Sequence, residues 1–258
     1  AMGRFTHEAA LADSGSGIVY QTEDAGGNSG FYRFLPKDPE NLAAGGVLQM
    51  ARIGGAANYD TRTGQTIGTE LPAQWVTIDN PDPDPVSASN SCFAQGFAKG
   101  GARWNRLEGI FRGEHNSVYF VSTSGGNAGY GQVWQFRPAG SGGTFKLVFE
   151  SPNGSVLDSP DNLCVTPGGG LLLCEDDASG DGDTHPLAPG LTNINRLVGL
   201  GLGGEPFTFA VNIFSDSEFA GACFSPDGDI LFVNIQGSAR ASSGMTAAIT
   251  GPWQRGPL

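Results

Sequence analysis

Acidic residues recur at nearly the same place in a sequence unit that occurs four times. In each copy an Asp or Glu precedes a short apolar stretch, a turn containing Gly, Asn or Pro, and a β-strand. The four acidic residues are Glu8, Glu108, Asp161 and Glu218. Carboxylates that come together cannot all stay ionised unless cations neutralise them. The repeat therefore predicts a metal site, and such oxygen ligands suit Ca²⁺ and also tolerate Fe³⁺.

Further acidic residues end the strands that follow these positions. Glu23 and Asp24 end the strand GIVYQTED, and Glu175 and Asp176 end the strand GLLLCED. Carboxylates at both ends of an innermost strand can reach one site from two directions. A solvated strand end is the alternative, and the PDN motif at Asp161 equally suits a turn with an Asx hydrogen bond.

The motif RWNRLEG places a cation beside a carboxylate. Arg106 and Glu108 are two residues apart, so in a strand their side chains point to the same face. Arginine binds phosphate with a planar fork of donors, and the pair therefore suits a site for a metal and an anionic substrate such as phosphate. An ordinary structural ion pair is the alternative.

The acidic loop DDASGDGD partly matches a calcium-binding loop. Asp177, Ser179, Asp181 and Gly182 occupy its first, third, fifth and sixth places, but Ala188 stands where a bidentate Glu is needed. An intact loop of the EF-hand type is therefore not expected, and a weak accessory Ca²⁺ position stays open.

The elements that must position these residues are strands. The apolar residues form short runs bounded by Gly, Pro, Asn and Asp, and no stretch keeps a helical period over eleven or more residues. The fold class is all-β, and repeated units that stack around a channel indicate a β-propeller. Four units are few for a closed propeller, so either the long segment 54–103 contains a further blade or the remaining blades lie upstream. We expect the second, a partial propeller of about four blades. Residues 1–258 then form part of a single β-propeller domain, with an Asp/Pro-rich insertion near 79–91 and an acidic loop near 176–186.

The net charge is −12, from 26 acidic against 14 basic residues. Nucleic acid is not an expected partner, because phosphate neutralisation needs clustered Lys and Arg. No run is long and apolar enough to span a membrane. The four cysteines form no CxxC pair; buried free thiols are expected for Cys164, Cys174 and Cys223, and a Cys164–Cys174 disulfide stays open.

These motifs, taken in order, resemble the PhoX-type alkaline phosphatases. The resemblance rests on GRFTHEAA, VYQTEDAG, RLEG, YGQVW, PDNLCVTPGGGLLLCED, EFAGACFSPDGDILFVNIQ and AITGPW, and it covers most of the chain. It implies a β-propeller that has six blades when complete and is exported folded by the twin-arginine route, giving a periplasmic or extracellular hydrolase. It also implies hydrolysis of small-molecule phosphate monoesters at a cluster of Fe³⁺ and Ca²⁺ near the channel mouth. We expect a monomer.

Carried over residue by residue, the resemblance implies a role for each motif residue. Glu8, Asp24 and Glu108 are expected metal ligands, and Arg106 is expected to grip the phosphoryl oxygens beside Glu108. The residues expected as further metal ligands are Asp161, Glu175, Asp176 and Glu218.

The chain also departs from this family. Members carry an upstream segment with a Cys-Glu-Glu motif and an export signal, and neither stands in this sequence. We therefore expect a C-terminal part of such a phosphatase, whose activity alone is an open question. Two alternatives remain at this point: a calcium-dependent lactonase-like propeller and a non-catalytic binding propeller. Arg106 distinguishes the first alternative, because a neutral lactone needs no anion grip.

Overall fold

A computed structural model describes residues 2–176, 190–191, 194–237, 244–253 and 256. Asp177, Ser179, Asp181, Gly182 and Ala188 of the expected calcium loop lie outside the described residues, as does nearly all of the acidic loop near 176–186. The described strands are β1 His7–Ala12, β2 Val19–Glu23, β3 Phe31–Pro36, β4 Gly46–Ile53, β5 Glu70–Thr77, β6 Leu107–Arg112, β7 Val118–Ser122, β8 Gln132–Ala139, β9 Gly142–Glu150, β10 Pro160–Val165, β11 Leu171–Glu175, β12 Arg196–Leu200, β13 Pro206–Val211, β14 Phe219–Phe224, β15 Ile230–Ile235 and β16 Met245–Thr250; the described α-helix is α1 Cys92–Ala98.

The chain divides into two compact units. The first contains residues 1–127 and 132–150, and its strands form one antiparallel sheet in the order β1-β2-β3-β4-β5-β9-β8-β7-β6. This order consists of two four-stranded meanders, β1–β4 and β6–β9, joined at their outer strands by β5. The sheet curves back until its end strands are neighbours, since the Thr22 hydroxyl of β2 donates to the Glu108 carbonyl of β6 at 2.6 Å.

Aromatic residues fill the space between these two meanders. Phe31, Phe120, Phe136 and Phe145 are all fully buried, and the Phe31 and Phe120 ring centroids lie 4.6 Å apart. Their neighbours along each strand point to the opposite face of the sheet, because successive side chains of a strand alternate between faces. The curved sheet is therefore closed over its own core, and the ends of β1 and β6 come together at one edge.

The other face of the first meander is covered by the segment around α1. Ile78 and Cys92 pack there with Val19, Phe34 and Met50. Helix α1 is short and begins at the Ser91 side chain, which accepts a hydrogen bond from the Ala94 amide. Residues 79–91, the expected Asp/Pro-rich insertion, contain no helix or strand.

The second unit contains residues 128–131 and 151–258. Its described strands form a four-stranded sheet, β10-β11-β12-β13, and a three-stranded sheet, β14-β15-β16, both antiparallel meanders. Strand β11 is buried along its whole length, because its sequence is almost entirely apolar. The fold class is therefore all-β with propeller-type meanders, as the sequence predicts.

All four cysteines are free. Cys164 and Cys174 are not bonded to each other, because Cys174 lies opposite Asn162 in the β10–β11 pair and Cys164 lies opposite Leu172. Both are buried as expected, and burial raises the pKa of the Cys164 thiol to about 12. The expectation for Cys223 is wrong: this thiol is exposed, because an irregularity between Ala220 and Cys223 turns Ala222 inward instead.

Among the described helices, none has the length and apolar character needed to cross a lipid bilayer.

Candidate active site

The repeated acidic residues Glu8 and Glu108 lie at matching bulges. The β1–β2 register shifts between His7 and Ala10, and the β6–β7 register shifts between Leu107 and Ile110. In both strands the acidic residue directly follows the first paired residue, His7 in β1 and Leu107 in β6. A bulge bends the strand and re-aims its side chains, so these acidic side chains stand where each strand leaves the regular ladder.

Thr22 holds the two bulges together. Its hydroxyl oxygen accepts a hydrogen bond from the Ala9 amide at 3.1 Å and donates to the Glu108 carbonyl at 2.6 Å. Both contacts are made by one buried side chain, so the bulge of β1 and the bulge of β6 are fixed as neighbours. Glu8 is exposed at this edge, whereas the Glu108 side chain is only 3% exposed.

Arg106 lies between Asp24 and Glu108. Its Nη2 atom is 2.6 Å from Glu108 Oε1, and its Nε atom donates to Asp24 Oδ1 at 3.2 Å. The backbone of Arg106 has a φ of 40°, a left-handed conformation that non-glycine residues rarely adopt. Two backbone hydrogen bonds hold it there: its N–H donates to the Gly26 carbonyl at 2.8 Å, and its carbonyl accepts from Thr123 at 2.9 Å. The guanidinium is thus fixed beside two carboxylates while its side chain remains 35% exposed.

Glu23, directly before Asp24, is buried and faces the other way. Its Oε2 atom accepts hydrogen bonds from the Tyr32 hydroxyl at 2.6 Å and the Gly30 amide at 3.0 Å. Burial raises the pKa of Glu23 to about 7. The carboxyl group therefore secures the turn that follows Asp24, and alternation along β2 leaves Asp24 to meet Arg106.

In the second unit Asp161 also lies at an irregularity of its strand, between Pro160 and Asn162. Its Oδ1 atom is buried and has no hydrogen-bond partner among the described residues. Burial raises the pKa of the Cys174 thiol, and the charges of Asp161 and Glu218 add to that rise. The second unit therefore brings Asp161 and Glu218 near the same buried thiol.

Glu175 is the counterpart of Glu23 in the second unit, but its partner is a cation. The Arg196 side chain donates to both carboxylate oxygens, at 2.7 and 2.5 Å, and the amides of Asp158 and Arg196 donate at 2.8 and 2.9 Å. Burial raises the pKa of Glu175 to about 7, and Arg196 acts in the opposite direction. Asp176 is partly exposed beyond this pair, and its amide donates to the Ser159 carbonyl at 2.9 Å.

One backbone hydrogen bond closes each of the four sequence repeats, and these bonds show which residues of the repeats correspond. In each repeat the amide of the first residue donates to the carbonyl of the second: Asp24 to Thr6, Thr123 to Arg106, Asp176 to Ser159, and Gln236 to Glu218. By this register Asp24 corresponds to Asp176, and Glu8, Glu108 and Asp161 correspond to one another. Glu218 stands instead at the place of Arg106. The sequence spacing hides this offset, because the irregularity in β14 occurs one residue further along than in β1 and β6.

Carboxylate oxygens are the ligands that hard cations prefer, and Asp24 and Glu108 both face the cationic group of Arg106. These oxygens suit Ca²⁺ or Fe³⁺ by donor type, and the Arg106 guanidinium lies at both carboxylates. Across the described residues, however, no group of three or more His, Cys, Asp or Glu side chains is arranged to hold a metal ion.

Two features of the sites were not predicted from the sequence. One is Arg196 as the partner of Glu175. The other is a cluster in the first unit in which Asp60 pairs with Arg62 at 2.8 Å and with Arg103 at 2.7 Å. The signal in the sequence was faint: the D-x-R spacing of Asp60 and Arg62 suggests a local pair, but nothing links either residue to Arg103.

Comparison with known proteins gives one family and several weak structural similarities. No curated protein matches the chain. A protein provisionally assigned as a gluconolactonase has 13% identity and a TM-score of 0.38, over 98% of this chain and 80% of that one. The PQQ-bound aldose sugar dehydrogenase of Streptomyces coelicolor has 11% identity and a TM-score of 0.37, over 97% and 81% of the two chains. A luciferin-regenerating enzyme has 10% identity and a TM-score of 0.33, over 97% and 93%.

The family model described as alkaline phosphatase PhoX matches residues 1–238, a range that includes Arg106 and every acidic residue discussed above. The chain belongs to the alkaline phosphatase PhoX family.

Proposed function

We propose that this protein hydrolyses small-molecule phosphate monoesters with the help of bound Ca²⁺ and Fe³⁺, outside the cytoplasm. The observation that carries this proposal is the position of Arg106, a partly exposed guanidinium fixed between Asp24 and Glu108. A fork of N–H donors beside carboxylates suits a phosphoryl group that must be bound next to cations. Membership of the PhoX family supports the same chemistry.

The metal ligands in this proposal are Glu8, Asp24 and Glu108 of the first unit. In the second unit they are Asp161, Glu175, Asp176 and Glu218. Asp161 has a buried carboxylate oxygen without a hydrogen-bond partner in the described part of the chain, and a cation would satisfy it. Glu175 is the weakest member, because Arg196 already occupies both of its oxygens.

Arg106 and Glu108 are the proposed catalytic residues. Bound cations would polarise the ester and stabilise the charge that develops on the phosphoryl oxygens. Arg106 would hold the same oxygens through the N–H donors of its guanidinium. Glu108, whose side chain is buried and whose carbonyl accepts a hydrogen bond from Thr22, would fix the orientation of that guanidinium. The strained backbone of Arg106 places the group before substrate arrives, so no reorganisation is needed during the reaction.

The test is hydrolysis of p-nitrophenyl phosphate by the protein with and without a calcium chelator, together with elemental analysis for iron and calcium. Asp24→Asn and Glu108→Gln remove a ligand charge at nearly constant shape, and Glu114→Gln is the matched control in an exposed turn. We expect bound metal and phosphatase activity that the chelator and the first two variants reduce at least a hundredfold. Activity that survives in both variants and in chelator would refute the metal assignment, and turnover of a lactone in place of the phosphate ester would favour the lactonase alternative.

A further inference from the structure

The turn at Gly26–Asn28 separates two arginines of the first unit. On one side the Arg106 amide donates to the Gly26 carbonyl at 2.8 Å. On the other side Arg62 Nη1 donates to the Gly27 carbonyl at 3.4 Å. Gly26 and Gly27 are consecutive, so the two arginines border one short piece of backbone, which begins two residues after Asp24.

Arg62 is held in one orientation. Its Nε and Nη2 atoms donate to the two Asp60 carboxylate oxygens at 2.8 and 2.9 Å, a bidentate pair. Its carbonyl accepts a hydrogen bond from the Gly126 amide at 2.8 Å. The side chain is nevertheless 29% exposed. The Nη1 group of Arg62, which does not contact Asp60, lies at the turn. Because the side chain is already fixed, binding a ligand there would cost little conformational entropy.

The cluster around Arg62 carries an excess of positive charge. Arg103 donates to the same Asp60 carboxylate at 2.7 Å, so two guanidinium groups share one carboxylate. Hydrogen bonds from Arg62 hold the pKa of Asp60 well below its usual range, and the same contacts raise the pKa of Arg62. Two guanidinium groups therefore face one carboxylate, which leaves one positive charge in excess. Arg106 shows the opposite balance, one guanidinium against two carboxylates.

We propose that Arg62 forms an anion subsite beside the phosphoryl site, which selects phosphate monoesters that carry a second anionic group such as a carboxylate or phosphate. This inference rests on the proposed function. A monoester whose phosphoryl group meets Arg106 would extend past Gly26 and Gly27, and a second anion on it would meet the Nη1 edge of Arg62. A monoester whose organic group is uncharged would make no such contact with Arg62.

Gly27 allows this arrangement because it has no side chain. A Cβ atom there would come within 2.8 Å of Arg62 Nη1 and 3.2 Å of Asn105 Oδ1. The guanidinium is the flexible end of its side chain, so Gly27→Ala would displace Nη1 while leaving the charge of Arg62 in place. This variant therefore tests the position of the group, whereas Arg62→Ala tests its presence.

The experiment compares two substrates that differ only at the second group. 3-Phosphoglycerate carries a carboxylate where glycerol 3-phosphate carries a hydroxymethyl group. We expect the wild-type protein to prefer 3-phosphoglycerate. Arg62→Ala should raise its KM about tenfold, the loss of one hydrogen bond to a charged group, with kcat unchanged. The KM for glycerol 3-phosphate should stay within about twofold. Arg62→Lys and Gly27→Ala should raise the KM for 3-phosphoglycerate by a smaller factor, again without a comparable change for glycerol 3-phosphate. The matched control is Arg137→Ala, which removes an exposed arginine paired with Glu70.

The outcomes separate this subsite from the proposed function. An equal loss for both substrates in Arg62→Ala would mean that Arg62 only supports the turn, and it would overturn the proposal. A protein that hydrolyses neither substrate would contradict the phosphatase assignment instead. In that case calorimetric titration of both compounds into the wild-type and Arg62→Ala proteins still decides the subsite: tighter binding of 3-phosphoglycerate that the variant loses supports it, and equal binding refutes it.

Discussion

The two units contain the same Glu-Asp doublet at the end of a second strand, with an arginine in a different place each time. In the first unit the buried Glu23 is satisfied by the neutral Tyr32, and Arg106 meets the outer residue, Asp24. In the second unit Arg196 meets the buried residue, Glu175. The same strand end therefore gives an accessible cation in one unit and an enclosed ion pair in the other.

The surroundings of the two arginines explain what each can do. Arg196 is 11% exposed, and its side chain donates hydrogen bonds to Glu175 and to the carbonyls of Gly154 and Ser155. Arg106 is 35% exposed and contacts the carboxylates of Asp24 and Glu108. Arg196 is therefore expected to stabilise the fold, whereas the more exposed Arg106 is the better candidate to contact a ligand. We therefore propose the anion-binding role for the first unit.

The largest expected effect is on catalysis at Arg106. Arg106→Lys keeps the charge between Asp24 and Glu108 but removes the planar fork, so phosphoryl oxygens lose a pair of directed hydrogen bonds. We expect kcat/KM for p-nitrophenyl phosphate to fall about a hundredfold or more, as when one donor of an oxyanion site is removed. The urea midpoint should stay nearly unchanged, which separates lost chemistry from lost folding. Unchanged kinetics would remove Arg106 from the proposed mechanism.

The corresponding change in the second unit should act on stability instead. Glu175→Gln leaves the Arg196 guanidinium enclosed without its counter-charge, and breaking such a pair costs about 3–5 kcal/mol of unfolding free energy. Urea unfolding at pH 8 measures the loss, with Glu205→Gln in an exposed turn as the control. A variant as stable as the wild type would show that Arg196 finds other partners.

The sequence predicts strands better than it predicts this difference. Apolar runs locate β2, β4 and β11 closely, because burial on a sheet leaves a direct imprint on residue type. Helix α1 is missed, since seven residues show no clear period.

The arginine partners are missed for a related reason. Asp24 and Arg106 are 82 residues apart, and Glu175 and Arg196 are 21 apart. Nothing in the local sequence of Glu175 distinguishes it from Glu23, so only the folded strand order shows which member of each doublet meets a cation. The pair of Arg106 and Glu108, by contrast, was predicted from their spacing of two residues in the motif RWNRLEG.

Glu23 should make stability depend on pH in a way that Glu23→Gln abolishes. Its pKa is raised from 4.5 to about 7 by burial, so the folded state holds its proton more tightly than the unfolded state does. The stabilisation from this proton is complete below about pH 4.5 and is lost as the pH rises to about 7, a change of about 3 kcal/mol. Glu23→Gln mimics the protonated form and should be more stable than the wild type at pH 8. Urea unfolding in a chelator from pH 5 to 8 measures this, and parallel curves for the two proteins would contradict it.

The smallest effect expected is at Tyr32, and it tests whether a neutral donor is enough for the buried carboxyl of the first unit. Tyr32→Phe removes the hydroxyl that donates to Glu23 at 2.6 Å and leaves only the Gly30 amide. Because one hydrogen bond to a charged acceptor is lost at pH 8, the variant should be about 1–2 kcal/mol less stable there. In the Glu23→Gln background an amide replaces the carboxylate, so the same substitution should cost less. Equal losses of stability in the two backgrounds would mean that the hydroxyl matters only for packing. The stability of each doublet would then not depend on whether the buried carboxyl has a neutral partner, as Glu23 has, or a charged one, as Glu175 has.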